Sequence, residues 1–89
     1  MKIKVSNMQS TKGNYIANQF IIEAGKSVYF QSYRVVIARN CYGKITLDCH
    51  YWDYSRTTAK YRNLFLGETS KETVAKIDSG EYRLANLNK

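Results

Sequence analysis

Residues Tyr51 to Leu66 read YWDYSRTTAKYRNLFL, and this stretch decides the fold. Asp53 or Ser55 can place a side-chain oxygen over the free amides of a first helical turn, so either serves as an N-cap. Tyr61, Leu64 and Phe65 then recur at i, i+3 and i+4, the spacing of one apolar helical stripe. Arg56, Lys60 and Asn63 follow at i, i+4 and i+7 and share a separate polar face. Gly67 supplies the left-handed residue that commonly closes a helix. The spacing predicts a short helix from about Arg56 to Leu66. The same stretch holds the only tryptophan, three of the eight tyrosines and three of the fourteen basic residues.

Downstream, Thr69 and Glu72 form a T-x-x-E capping box. It predicts a second helix to about Ser79, with Val74 and Ile77 turned inward and Gly80 at its end. Glu81 to Leu84 can return to a sheet as a last strand, and the tail from Ala85 to Lys89 is expected to fray.

Upstream the pattern is β-rich. Lys2 to Ser6 alternates basic and apolar residues, predicting a short strand with Ile3 and Val5 inward. Gln9 to Asn14 reads as a loop. Tyr15 to Glu23 predicts a strand with Ile16, Phe20 and Ile22 on one face. Asn18 falls on that face too, as a satisfied buried amide or the mark of a bulge. Ala24-Gly25-Lys26 is a turn into a return strand, Ser27 to Tyr33, with a bend near Ser32 to Arg34. Arg34 to Arg39 reads as strand or helix, because periodicity does not separate the two in a short apolar run. Asn40 to Gly43 is a turn into a third long strand, Lys44 to Tyr51. The order predicts a single α+β domain over residues 1–89, an antiparallel sheet of four to five strands followed by two C-terminal helices packed on one face.

The chain has 89 residues, 44% of them hydrophobic and none of them proline, which suits one small core and argues against wholesale disorder. No run approaches the roughly 18 to 20 apolar residues of a membrane span. The opening MKIKVSNMQS lacks the apolar core of a signal peptide, so a cytosolic location is expected. Cys41 and Cys49 are the only cysteines. A cytosolic setting disfavours a disulfide, and two thiols with His50 make a poor metal site, so no metal or cofactor is expected. Net charge is +7, which favours acidic partners: nucleic acid, an acidic protein surface, or less readily anionic lipid.

Three fragments carry a family resemblance: NQF at Asn18 to Phe20, FQSY at Phe30 to Tyr33 followed by IA at Ile37-Ala38, and WDYSRTTAKYRNLFL at Trp52 to Leu66. In this order and spacing the chain resembles a family of small bacteriophage proteins of unknown function. The resemblance implies a phage origin and the cytoplasm of an infected bacterium, and it carries over no catalytic residues.

The residues themselves point to binding. Arg34, Tyr51, Tyr54, Arg56, Lys60, Arg62 and Asn63 are the candidate site, because cations neutralise phosphates while aromatic faces stack on unpaired bases. Tyrosine and arginine are also enriched at protein interface hot spots. The sequence therefore supports two partners: a host protein of the nucleic-acid or defence machinery, taken first, and single-stranded DNA or RNA as the alternative. Trp52, Tyr61 and Phe65 are expected in the core. Glu68 and Glu72 at the start of the second helix would repel phosphate, which argues against a recognition helix there. No enzyme is expected. His50 is the sole histidine, neighbouring Cys49 would point to the opposite face of a strand, and no Gly-rich phosphate loop appears.

Overall fold

The computed structural model describes residues 2–88. In chain order the elements are β1 (Ile3–Gln9), β2 (Tyr15–Ala24), β3 (Ser27–Ser32), β4 (Val35–Cys41), β5 (Lys44–Asp48), α1 (Arg56–Leu66), α2 (Ser70–Asp78) and β6 (Arg83–Ala85). The strands form one sheet in the order β1-β2-β3-β4-β5-β6. The first five are an antiparallel meander, and β6 pairs parallel to β5. The architecture is α+β as expected, but the sheet has six strands and is mixed. A parallel neighbour needs a long crossover, and α1 and α2 supply it.

The turns follow from local chemistry. Between β4 and β5, Tyr42 and Gly43 both take positive φ, 52° and 82°, the requirement of the tight two-residue hairpin whose twist matches its strands. The Asn40 side-chain oxygen accepts from the Gly43 amide at 2.7 Å and fixes that turn. The bend expected near Ser32 to Arg34 is real: Tyr33 stands at φ 58°, and its amide donates to the Asn18 carbonyl at 2.6 Å. The run after Arg34 is strand.

Two irregularities set which side chains meet the core. Asn18 has φ 64°, and β2 changes phase there, so it marks a bulge rather than a buried amide. Ile16 before it and Gln19 and Ile21 after it turn toward the core, while Phe20 and Ile22 face the other way. The expectation that Ile16, Phe20 and Ile22 share a face fails for this reason. In β4 the register shifts opposite Phe30 and Gln31, and Ile37 and Ala38 are consequently both buried. The core comprises Met8, Phe30, Ile37, Ala38, Leu47 and Tyr82, with Trp52, Tyr61, Phe65 and Ile77 packed against it.

Helix α1 lies over β3 and β4. The Phe65 ring stacks on Phe30 at 5.8 Å, and the Ser32 and Thr58 hydroxyls are bonded at 3.2 Å. The fully buried residues of α1 are Thr58 and Arg62, which with Phe65 form an i, i+4, i+7 stripe. Leu64 is 42% exposed. The buried stripe is thus rotated from the apolar one read in the sequence. Ser55 caps α1, accepting from the Thr58 amide, and Gly67 closes it at φ 70°.

Helix α2 begins in the expected capping box. Ile77 turns inward but Val74 is 43% exposed. Glu68, in the link between the helices, accepts from Thr73 Oγ1, Lys76 Nζ at 2.9 Å and Tyr82 Oη at 2.6 Å, and so ties α2 to the approach of β6. Burial raises the Glu68 carboxyl, but these bonds and the Lys76 charge outweigh it and hold the group below its ordinary value. Lys76 is raised, chiefly by its bond to Glu68, and Tyr82 is raised to about 12 by burial and then by the same carboxylate.

Ile3 and Val5 do not face inward: they are 65% and 59% exposed. The tail does not fray as far as Asn88. The Asn88 side-chain oxygen accepts from the Val36 amide at 2.7 Å, and its nitrogen donates to the Val36 carbonyl and to Asp48 Oδ1. Lys89 lies outside the described residues.

Candidate functional site

The site is built where β5 gives way to α1. The strand expected to reach Tyr51 stops at Asp48, whose carboxylate turns the chain. Asp48 Oδ2 accepts from the His50 and Tyr51 amides at 3.1 and 2.9 Å. Its Oδ1 accepts from the Leu87 amide at 2.8 Å and from Asn88 Nδ2 at 2.9 Å. Burial pushes this carboxyl up, yet the four donors together hold it below the usual aspartate value. The resulting turn presents Tyr51 and Tyr54 at the surface, edge to face at 5.5 Å and 83°.

Arg62 is not on that surface. It is 0% exposed. Its Nη1 donates to the Trp52 carbonyl at 2.7 Å and to Asp53 Oδ1 at 3.1 Å. Its Nη2 donates to Asn63 Oδ1 at 3.1 Å and to Ser70 Oγ at 2.9 Å. The guanidinium also lies 5.2 Å from the Trp52 ring centroid. A planar fork meets these directions at once, which an ammonium on a flexible stem cannot do. As a candidate binding residue Arg62 is therefore corrected: it is an interior clamp joining the Trp52 turn, α1 and the start of α2. Asn63, half-buried, is drawn into the same network through its own bond to Ser70 Oγ at 3.0 Å.

The remaining candidates are exposed. Arg56 and Lys60 stand one turn apart on the outer face of α1. Arg34 is exposed in the β3–β4 turn, two residues beyond Ser32, whose hydroxyl is bonded to that of Thr58 on α1. Among the described residues the ion pairs are Arg62–Asp53 and Lys76–Glu68, which leaves Arg34, Arg56 and Lys60 without a carboxylate partner. Lys60 Nζ lies 5.2 Å from the Tyr61 ring centroid.

Lys60 and Asn63 also line a cavity of about 420 Å³ between α1 and the β1–β2 loop, with Ser10, Ile16, Tyr61 and Leu64. Ser10, Thr11, Ile16 and Leu64 are site residues that the sequence reading missed. The one available signal was Leu64, which lies next to Asn63 and one turn beyond Lys60 although the spacing assigns it to the apolar stripe. His50 is exposed, its ring 6.3 Å from Tyr51. Among the described residues no three His, Cys, Asp or Glu side chains converge as metal ligands, and no helix is long and apolar enough to cross a membrane.

Residues 3–81 match the family model of a family of unknown function, DUF8033. No curated protein and no solved structure matches the chain.

Proposed function

The chain belongs to DUF8033, a family of unknown function, and we propose that it is a non-enzymatic binding module whose α1 face engages an acidic protein surface. The observation that carries this reading is the juxtaposition of Lys60 and Leu64 at the cavity beside α1. An exposed leucine and a concave apolar wall accept an aliphatic or aromatic anchor, while Lys60 and Arg56 meet carboxylates at its rim. Arg56 opens α1, and no acidic residue occupies the first turn. A cation at the positive end of a helix adds nothing to helix stability, and the field there favours an anionic partner. Tyr51 and Tyr54 extend the surface with rigid aromatic area. The phage-like fragments support a setting in an infected bacterium's cytoplasm, with a host protein of the nucleic-acid or defence machinery as the partner.

The test is affinity capture from bacterial lysate, before and after nuclease treatment, with the parent and an Arg56→Ala, Lys60→Ala, Leu64→Ala variant. The expected result is one protein retained after nuclease and lost from the variant, chiefly through faster dissociation. The absence of any protein retained after nuclease, or retention of that protein equally by the variant, overturns the reading.

A further inference from the structure

The sheet has a second face, and α1 does not cover it. On β3, Phe30 and Ser32 turn toward α1, so Tyr29 and Gln31 point away. Following the register outward from Tyr29, one row of direct cross-strand partners crosses all six strands: Val5, Ile22, Tyr29, Arg39, Thr46 and Arg83. None of the six belongs to the hydrophobic core cluster or packs against it; Thr46 is nonetheless buried at 7% exposure, while Val5 and Arg83 are exposed and Ile22, Tyr29 and Arg39 half-buried. Phe20 lies beside this row, opposite Gln31, and Lys44 on its other side, opposite Cys41.

The row changes character along its length. Its β1–β3 end is apolar and aromatic, and its β4–β6 end is cationic. Arg39, Lys44, Thr46 and Arg83 line a cavity of about 440 Å³ there, bordered by Glu81. Among the described residues none of these three cations has an ion-pair partner. The Arg39 guanidinium makes a single long bond, 3.4 Å to Thr46 Oγ1. The one carboxylate that the strands place on this face is Asp48, buried and saturated by four donors.

We propose that this uncovered face binds single-stranded nucleic acid. Phosphates sit at Arg39, Lys44 and Arg83, and bases stack on Tyr29 and Phe20 of the two adjacent strands. Adjacent strands are roughly 4.8 Å apart, so an aromatic ring and a guanidinium stand side by side where one nucleotide presents its base and its phosphate. A duplex offers phosphates but hides its base faces, so the aromatic half of the row selects unpaired strands. A second copy laid face to face would set like charges against each other in a chain of net charge +7. The site is separate from the α1 face and stands or falls independently of it.

The experiment is fluorescence anisotropy with labelled 12-nucleotide DNA and RNA homopolymers and a 12-base-pair duplex, over a salt series, with sedimentation of the free protein. Single strands should bind more tightly than the duplex. Tyr29→Ala should weaken binding about tenfold with an unchanged salt slope, and Tyr29→Phe should restore it. Lys44→Gln with Arg83→Gln, both exposed side chains, should weaken every sequence alike and flatten the log–log salt slope by about 1.4 units. Arg56→Ala with Lys60→Ala should bind like the parent, which separates this face from α1. The proposal is overturned by no binding at low salt, by a duplex preference, by Tyr29 and Lys44/Arg83 variants that bind like the parent while folded, or by a dimer that buries the face.

Discussion

The Arg62 guanidinium holds Trp52 twice, donating to its backbone carbonyl at 2.7 Å while lying 5.2 Å from its ring centroid. One side chain on α1 thus fixes both the path of the preceding turn and the orientation of the aromatic ring that fills it. The same guanidinium reaches Ser70 at the head of α2, so three segments share one positive charge.

Removing that charge should be costly. Arg62→Ala leaves the Trp52 carbonyl and the Asn63 side-chain oxygen without the donor the guanidinium supplies. It is expected to lose about 3 kcal/mol, the lower end for a broken buried pair because Asp53 is half exposed to solvent. Arg62→Lys should recover only part of this, since a single ammonium cannot serve both branches of the fork. Urea midpoints of the two variants check the ordering, and a midpoint equal to the parent's would contradict the clamp.

Trp52→Ala should lose about 3 kcal/mol, toward the lower end for a large aromatic because the ring is only partly buried. For a domain of this size the melting temperature should drop by at least about 12 °C. A shift of a few degrees would place the ring outside the load-sharing packing.

Acid should unfold the protein through two carboxylates. Asp48 and Glu68 are both held below their ordinary values of 3.8 and 4.5. A depressed carboxyl contributes its stability above the unfolded-state value and loses it as pH falls through the folded-state value. Unfolding free energy should therefore be nearly flat from pH 7 to about 5 and decline below about 4.5. Asp48→Asn should start lower at pH 7 and decline less. Equal acid slopes in parent and variant, from urea titrations, would remove Asp48 from the account.

Asn88→Ala should cost about 1 to 2 kcal/mol, because the Val36 amide and carbonyl lose their partner and Asp48 loses a donor. The Val36 amide should also exchange with solvent faster than its β4 neighbours. Unchanged exchange at Val36 would show that water serves the position equally well.

The sequence spoke clearly where structure is encoded by near neighbours. The bounds of α1, the Thr69 cap and the Gly67 stop all depend on residues within four positions of one another and all stand as read, and of the two N-cap candidates for α1, Asp53 and Ser55, the structure uses Ser55. It was mute where a distant segment decides. Alternation shows that Ile3 and Val5 share a face but not which face lies under the helices, and β1 turned out to place them on the uncovered side. The α2 pattern alone turns Val74 inward, yet Val74 is 43% exposed and Ile77 packs on the core. Arg62 reads as a surface cation because its type is normally solvated. Its burial depends on Asp53, the Trp52 carbonyl and Ser70 converging from separate segments. The parallel placement of β6 has no local signature at all.

That placement also orders events in time. Each meander hairpin closes between strands joined by a short turn, but the β5–β6 pairing must bring residues 46 and 83 together. Closing that long loop costs more chain entropy than any hairpin and yields only a three-residue strand in return. The meander and helices should consequently assemble first, with β6 and the Asn88 anchor arriving last. Until they do, β5 is an open edge with unpaired amides and carbonyls, able to accept the equivalent strand of another molecule. Aggregation during refolding should then scale with protein concentration in this late interval and be worsened by changes at Arg83 to Asn88.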